Sequence, residues 1–230
     1  MFTGFPPIEA VVFDLDGLML NTEDVFDLAG NELMSRRGLQ MTDVIRHRML
    51  GRRPDEAFQA LKDLSGITDE IEDLKQETRQ LFAAIAEDHL KVLPGLLSLL
   101  AEIEQRNLPK AVATSSPREY MTYLLKKFQL LHRFDVTLAA EDVTEGKPHP
   151  EIYLTAAGLL DVAPENTLVL EDSETGMCAA AAAGTFVFAV PNRHTRHGDF
   201  SRASRVVSSL ADESIIARLD APGESSSDVA

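Results

Sequence analysis

The stretch VVFDLDGLMLNTE, Val11 to Glu23, decides how the rest of the chain is read. An apolar run, Ala10–Phe13, ends at two aspartates one residue apart, Asp14 and Asp16. Gly17 follows, and without a Cβ it lets the chain turn sharply. Three more apolar residues, Leu18–Leu20, then lead into Asn21-Thr22-Glu23. A short β-branched and aromatic run, cut off by polar residues, is a strand pattern. Carboxylates directly after it sit at the carboxyl end of a strand, where an open parallel sheet binds its ligands. The second apolar run reads as chain folding back over that end, partly buried and excluding water.

Similar strand patterns recur at Lys110–Ala113, Phe134–Leu138, Thr167–Leu170 and Thr185–Val190. Helical patterns lie between them. Leu96, Leu97, Leu99, Leu100 and Ile103 make one face, and Tyr120, Tyr123, Leu124 and Phe128 another, opened by Ser116-Pro117. A third runs from Pro150 to Leu160, and a fourth is the alanine-rich Met177–Ala183, closed by Gly184. This alternation predicts an α/β fold, a doubly wound Rossmann-like parallel sheet. Runs apolar throughout, such as TLVL and TFVFAV, suit strands covered on both faces.

Between the first and second strands the rhythm breaks. Thr22 is placed to cap a helix that ends near Gly38. Shorter helices are expected at Thr42–Leu50 and Pro54–Leu64, and a long one at Asp69–Leu90. A plain strand-to-helix crossover needs far less chain. The pattern predicts an inserted α-helical cap domain, residues 21–90, in a core made of residues 1–20 and 91–220. Pro94-Gly95 offers a hinge at the exit. The tail APGESSSDVA, residues 221–230, is small and polar and is expected to be poorly ordered.

The 230 residues suffice for one core and a small second domain. Lys and Arg number 22 against 37 Asp and Glu, a net charge of −15. Such a surface repels nucleic acid and anionic membranes, so neither is an expected partner, and an anion-binding site must make its own positive field. The single cysteine, Cys178, rules out an internal disulfide and fits a reducing compartment. The N-terminus lacks a basic region followed by a long apolar stretch, so no secretory leader is expected. No apolar run approaches the roughly 20 residues of a membrane helix. The expectation is a cytoplasmic monomer.

The chemistry-bearing residues follow the strands. Asp14 and Asp16 come after the first, Thr114, Ser115 and Ser116 after the second, Lys147 in the loop after the third, and Glu171, Asp172 and Ser173 after the fourth. Each has a plainer explanation alone: a solvated turn, a helix cap before Pro117, an exposed lysine, an acid at a helix start. Their shared position favours a joint role, and carboxylates with hydroxyls and a lysine suit a divalent cation and a phosphate.

In chain order FDLDG, ATSS, GKPHP and LVLEDSETG resemble the four motifs of the haloacid dehalogenase superfamily of aspartate-nucleophile phosphohydrolases. The match spans about residues 8–190, and the helical insert lies where the β-phosphoglucomutase-like branch carries its cap. The resemblance implies a Mg2+-dependent phosphatase acting on a small phosphorylated metabolite. It makes Asp14 the nucleophile, Asp16 the general acid and base, and Lys147 a charge stabiliser that also binds phosphate. Thr114 hydrogen-bonds a phosphate oxygen, and the backbone N–H groups of Ser115 and Ser116 add to it at a helix start. Mg2+ takes Asp14, the Asp16 backbone carbonyl and one or both of Glu171 and Asp172. A dehalogenase needs neither a second aspartate for a leaving halide nor Mg2+, so this pattern favours phosphoryl transfer. Arg52 and Arg53, between two cap helices, either contact the substrate or are two solvated arginines. The loop Asn192–Asp199 follows the last strand and either reaches the rim of the site or is solvated, the second being favoured. Lys147-Pro148 is open to either isomer.

Two alternatives remain. Phosphomutases of this branch carry a cap histidine twelve residues after the nucleophile; here that position is Phe26, which cannot shuttle a proton. A non-catalytic phosphate binder on this fold would be expected to lack the nucleophile or the lysine, and both are present.

Overall fold

The structure, a computed structural model, describes residues 5–49 and 54–221. Arg52, Arg53 and the tail from residue 222 lie outside the described residues. Contacts divide the chain into two units, Met1–Leu20 with Val92–Ala230, and Asn21–Lys91.

The Asn21–Lys91 unit contains α1 (Thr22–Ser35), α2 (Asp43–Met49), α3 (Pro54–Ser65) and α4 (Ile71–His89). Val25, Ala29 and Leu33 recur every fourth residue on α1 and are buried. The buried residues of α4 are Leu74, Leu81, Phe82 and Ala86, and these two helices form the main packing of the unit. Thr22 does not cap α1. It lies inside the helix with its hydroxyl buried and without a hydrogen-bond partner, and Asn21 holds the cap position. The Asn21 side chain ties the two ends of the unit together instead: Oδ1 accepts the Lys91 N–H at 2.6 Å, and Nδ2 donates to the His89 carbonyl at 3.2 Å.

The other unit holds a six-stranded parallel sheet. Its strands are β1 (Ala10–Phe13), β2 (Lys110–Ala113), β3 (Val136–Leu138), β4 (Thr167–Glu171), β5 (Phe186–Ala189) and β6 (Arg205–Val206), in the order β3-β2-β1-β4-β5-β6. Its helices are α5 (Leu96–Gln105), α6 (Arg118–Lys127), α7 (Glu151–Leu159), α8 (Glu174–Ala182) and α9 (Glu213–Leu219). Strand alternation puts Val12, Ala111, Val169 and Val187 in register across four strands. They pack with Ile152, Tyr153 and Ala156 of α7 and with Met177, Ala179 and Ala180 of α8 in one core. Phe13, one residue on, points the other way and meets Phe134 edge to face at 5.9 Å between ring centres.

Two expected boundaries shift in ways that matter. The alanine-rich helix starts at Glu174, earlier than the apolar pattern indicated, because the Ser173 hydroxyl caps it by accepting the Gly176 N–H at 3.0 Å. The acidic motif therefore runs from strand to helix with two intervening residues. β6 is only two exposed residues long, too short and too polar to register as an apolar run. β1 has β2 on one side and β4 on the other, so the connections diverge there and leave a crevice at the carboxyl ends.

On α7, Ile152 is buried in the core while Leu154 is 43% exposed. Ile152→Ala should destabilise the protein by roughly 2–5 kcal/mol in denaturant unfolding, whereas Leu154→Ala should stay within about 0.5 kcal/mol.

Candidate active site

Phe13 pairs with Val112 on one side and Leu170 on the other, so the next residues, Asp14, Ala113 and Glu171, come side by side at the carboxyl edge. The Asp14 N–H still belongs to the ladder, donating to the Leu170 carbonyl at 3.1 Å, while its buried side chain faces the crevice. Lys147 reaches all three neighbours. Its Nζ donates to Asp14 Oδ1 at 2.6 Å, to Glu171 Oε1 at 2.7 Å and to the Ala113 carbonyl at 3.0 Å. Its side chain is only 5% exposed. The Lys147-Pro148 bond is cis.

Glu171 is fully enclosed. Oε1 accepts from Lys147 and from the Tyr153 hydroxyl at 2.7 Å; Oε2 accepts the Ser173 N–H at 3.1 Å and the Ser173 hydroxyl at 3.0 Å. Four donors fill the four lone-pair positions of a carboxylate. The carboxylate lies against α8, where a Cβ built on Gly176 would fall 1.7 Å from Oε1. Asp172, also buried, turns the other way. Its Oδ2 accepts from Asn192 Nδ2 at 2.8 Å, and the same amide donates to the Gly17 carbonyl at 3.1 Å. Gly17, at φ +77°, closes in on this carboxylate; a Cβ there would meet Asp172 Oδ2 at 2.5 Å.

Asp16 lies beside the second strand's loop. Its Oδ2 accepts from the hydroxyls of Thr114 at 3.2 Å and Ser116 at 2.7 Å, and its Oδ1 from the Tyr120 hydroxyl at 3.2 Å. The Ser116 N–H, expected to face a ligand, donates to Thr114 Oγ1 at 3.0 Å. Ser115 is exposed. The bends after Asp16 use Gly17 N–H to Leu20 O at 2.9 Å and Leu20 N–H to Leu15 O at 3.3 Å, and neither bond engages the Asp16 carbonyl. Leu18, Met19 and Leu20 are fully buried rather than partly so. Leu20 bridges Val92, and the Met19 carbonyl accepts the Leu93 N–H at 2.9 Å.

The electrostatics follow from one cation among buried acids. Burial opposes the Lys147 charge, but Asp14 and Glu171 outweigh it and hold the ammonium well above its ordinary range. Burial opposes the Glu171 charge too, and Lys147, Tyr153 and Ser173 overcome it, so this carboxyl lies below its usual value. Burial pushes the Tyr153 hydroxyl well up, so it remains a donor. Burial pushes Asp14 well above the carboxylate range despite Lys147, and Glu171 and Asp16 push the same way. One ammonium does not neutralise this centre. Asp14, Glu171 and Asp172 bring oxygens within 4.8 Å of one another, and with Glu171 committed to its four donors, Asp14 and Asp172 are the hard oxygens of this set left to a small divalent cation.

Four residues here were not singled out as site residues from the sequence. Ser173, noted only as part of the fourth cluster, both caps α8 and binds Glu171. Tyr120 read as a helix-face residue, and Tyr153 only as part of the helical stretch Pro150–Leu160. Asn192 opens a loop expected to be solvated, yet it holds Asp172. Its own Oδ1 accepts the His194 N–H at 2.7 Å and the Thr195 N–H at 3.2 Å, so the loop backbone fixes the amide.

A doubly wound α/β core with buried carboxylates and a lysine at its carboxyl edge defines the class of enzyme core. The family described as haloacid dehalogenase-like hydrolase matches residues 11–190. A phosphorylated carbohydrates phosphatase from Thermotoga maritima is 32% identical over 177 residues, 77% of this chain and 82% of that protein. The crystal structure of CbbY from Rhodobacter sphaeroides in complex with phosphate superposes with a TM-score of 0.79 at 31% identity, covering 93% of this chain and all of that one. A putative β-phosphoglucomutase from Thermotoga maritima gives 0.79 at 28% identity, with 92% and 100% coverage. The chain belongs to the haloacid dehalogenase-like hydrolase family, and it is a phosphohydrolase.

Gly176→Ala should drive the Glu171 carboxylate from its four donors. The expected result is a loss of roughly 1–3 kcal/mol in unfolding experiments, larger than the gain that Ala normally brings to a helix.

Proposed function

We propose that the protein is a Mg2+-dependent phosphatase that hydrolyses small phosphate monoesters, such as sugar phosphates, through an aspartyl-phosphate on Asp14. The observation that carries this reading is the Asp14 carboxylate at the tip of the central strand, 2.6 Å from Lys147 and within reach of Glu171 and Asp172. In the first step Asp14 Oδ attacks phosphorus and the bond to the ester oxygen breaks. The electron pair leaves with that oxygen, which takes a proton from Asp16. In the second, Asp16 takes a proton from water as the water oxygen attacks the aspartyl-phosphate, and Asp14 departs as carboxylate. Thr114, Ser115 and Ser116 donate to the phosphoryl oxygens, and Lys147 offsets the charge that gathers beside Asp14.

Asp14, the Asp16 carbonyl and Asp172 would hold the cation directly. Glu171 has its lone pairs committed to Lys147, Tyr153 and Ser173, which supports a supporting role for it. When bound, Mg2+ would supply positive charge that offsets the repulsion of two anions, the nucleophile and the phosphate. The Asn21–Lys91 unit acts as the cap that selects the substrate.

The purified protein should release phosphate from a panel of phosphorylated sugars, nucleotides and small acids with Mg2+, and lose this with a chelator. Asp14→Asn should reduce kcat by roughly 10^4-fold or more; unchanged turnover in that variant would sink the mechanism.

The likeness to a putative β-phosphoglucomutase favours a second reading, phosphohexomutase. Phe26 counts against it. Its ring packs on Phe82 of the same unit at 4.4 Å between centres and carries no exchangeable proton. With β-glucose 1-phosphate, phosphate release should outpace formation of glucose 6-phosphate; the opposite ranking would establish the mutase.

A further inference from the structure

Asp16 has three hydroxyl donors, and they differ in what a substrate would do to them. Thr114 and Ser116 both bond Oδ2 and belong to the loop assigned to the phosphoryl group. Each hydroxyl has one proton, so it cannot serve Asp16 and a phosphate oxygen together. The Thr114 oxygen is further committed as the acceptor of the Ser116 N–H. Tyr120 stands apart. It comes from the first turn of α6, beyond that loop, and donates to the opposite oxygen, Oδ1.

We infer that Tyr120 is a positioning residue for Asp16, a role that rests on Asp16 being the general acid. When phosphate takes the hydroxyls of Thr114 and Ser116, Oδ2 loses both donors and is left to give its proton to the leaving oxygen. Tyr120 keeps Oδ1 fixed through that exchange, so the carboxyl cannot rotate away. It also donates to the carboxylate that forms once the proton has gone. The half-buried Tyr120 ring, on a helix whose Met121, Leu124 and Leu125 are buried, gives that hydroxyl a rigid support.

The test separates substrates by their need for an acid. Leaving-group departure governs kcat/KM, p-nitrophenolate departs without a proton, and the alkoxide of glycerol phosphate does not. With Mg2+ present, Tyr120→Phe should lower kcat/KM for glycerol phosphate by about tenfold, the worth of one hydrogen bond to a charged group. It should leave kcat/KM for p-nitrophenyl phosphate within about twofold of the parent. Equal losses on both substrates would show a merely structural role and overturn the assignment, as would no loss on either. Asp16→Ala is the control: if it too lacks the leaving-group dependence, the acid role itself fails, and this inference with it. If Asp16→Ala shows the dependence and Tyr120→Phe does not, only the Tyr120 assignment falls.

Discussion

The Lys147 ammonium has three protons to give, and each goes to the end of a different strand. Asp14 directly follows β1, Ala113 ends β2 and Glu171 ends β4. A buried ammonium is costly unless every donor is met and its charge is balanced. Here the partners are two carboxylates and a carbonyl, and they are also the three positions that open the crevice. Around this knot the remaining contacts serve to hold Glu171 in place. Tyr153 and Ser173 fill its other lone pairs, and Gly176 leaves it room. The cation orients Asp14, whose carboxyl is held above its ordinary value by burial and the neighbouring acids.

This centre explains how so acidic a chain accommodates an anionic ligand. A net charge of −15 is unfavourable for any phosphate approaching from afar. The compensation is local and enclosed: one lysine that remains charged because two acids face it, and an oxygen set that fits a divalent ion. Short-range, desolvated charge outweighs a screened surface field at the distances where the ligand binds.

Much of the fold was legible because parallel strands are apolar throughout and stop abruptly at polar residues. β1 and β2 follow the expected limits, and the residues singled out from the first, second and fourth strands meet at one edge. Lys147 joins them from 133 residues beyond Asp14. Local pattern failed where function depends on tertiary approach. Asn192 is an ordinary loop residue until the end of β5 brings it to Asp172. Tyr120 has the spacing of a helix-face residue and Tyr153 lies in a helical stretch, and only their hydroxyls, which periodicity does not register, distinguish them. The division between Glu171 and Asp172 was likewise invisible, since adjacent acids at a strand end are alike until one turns under α8 and the other toward Asn192. The Thr22 cap failed for a different reason: Asn21, just before it, bonds to the far end of the unit at residues 89 and 91.

The position of β1 at the centre of the sheet has a consequence for biosynthesis. Of the described strands it is made first, yet Val11 pairs with Lys110 and Leu168, and the whole Asn21–Lys91 unit is made in between. One edge of this apolar strand waits for residue 110 and the other for residue 167, while the helices of residues 22–89 need only near neighbours. The segment that makes these helices is thus complete while the strand still lacks both partners. An apolar strand left unpaired through this interval is prone to aggregate and is a surface for a chaperone to shield.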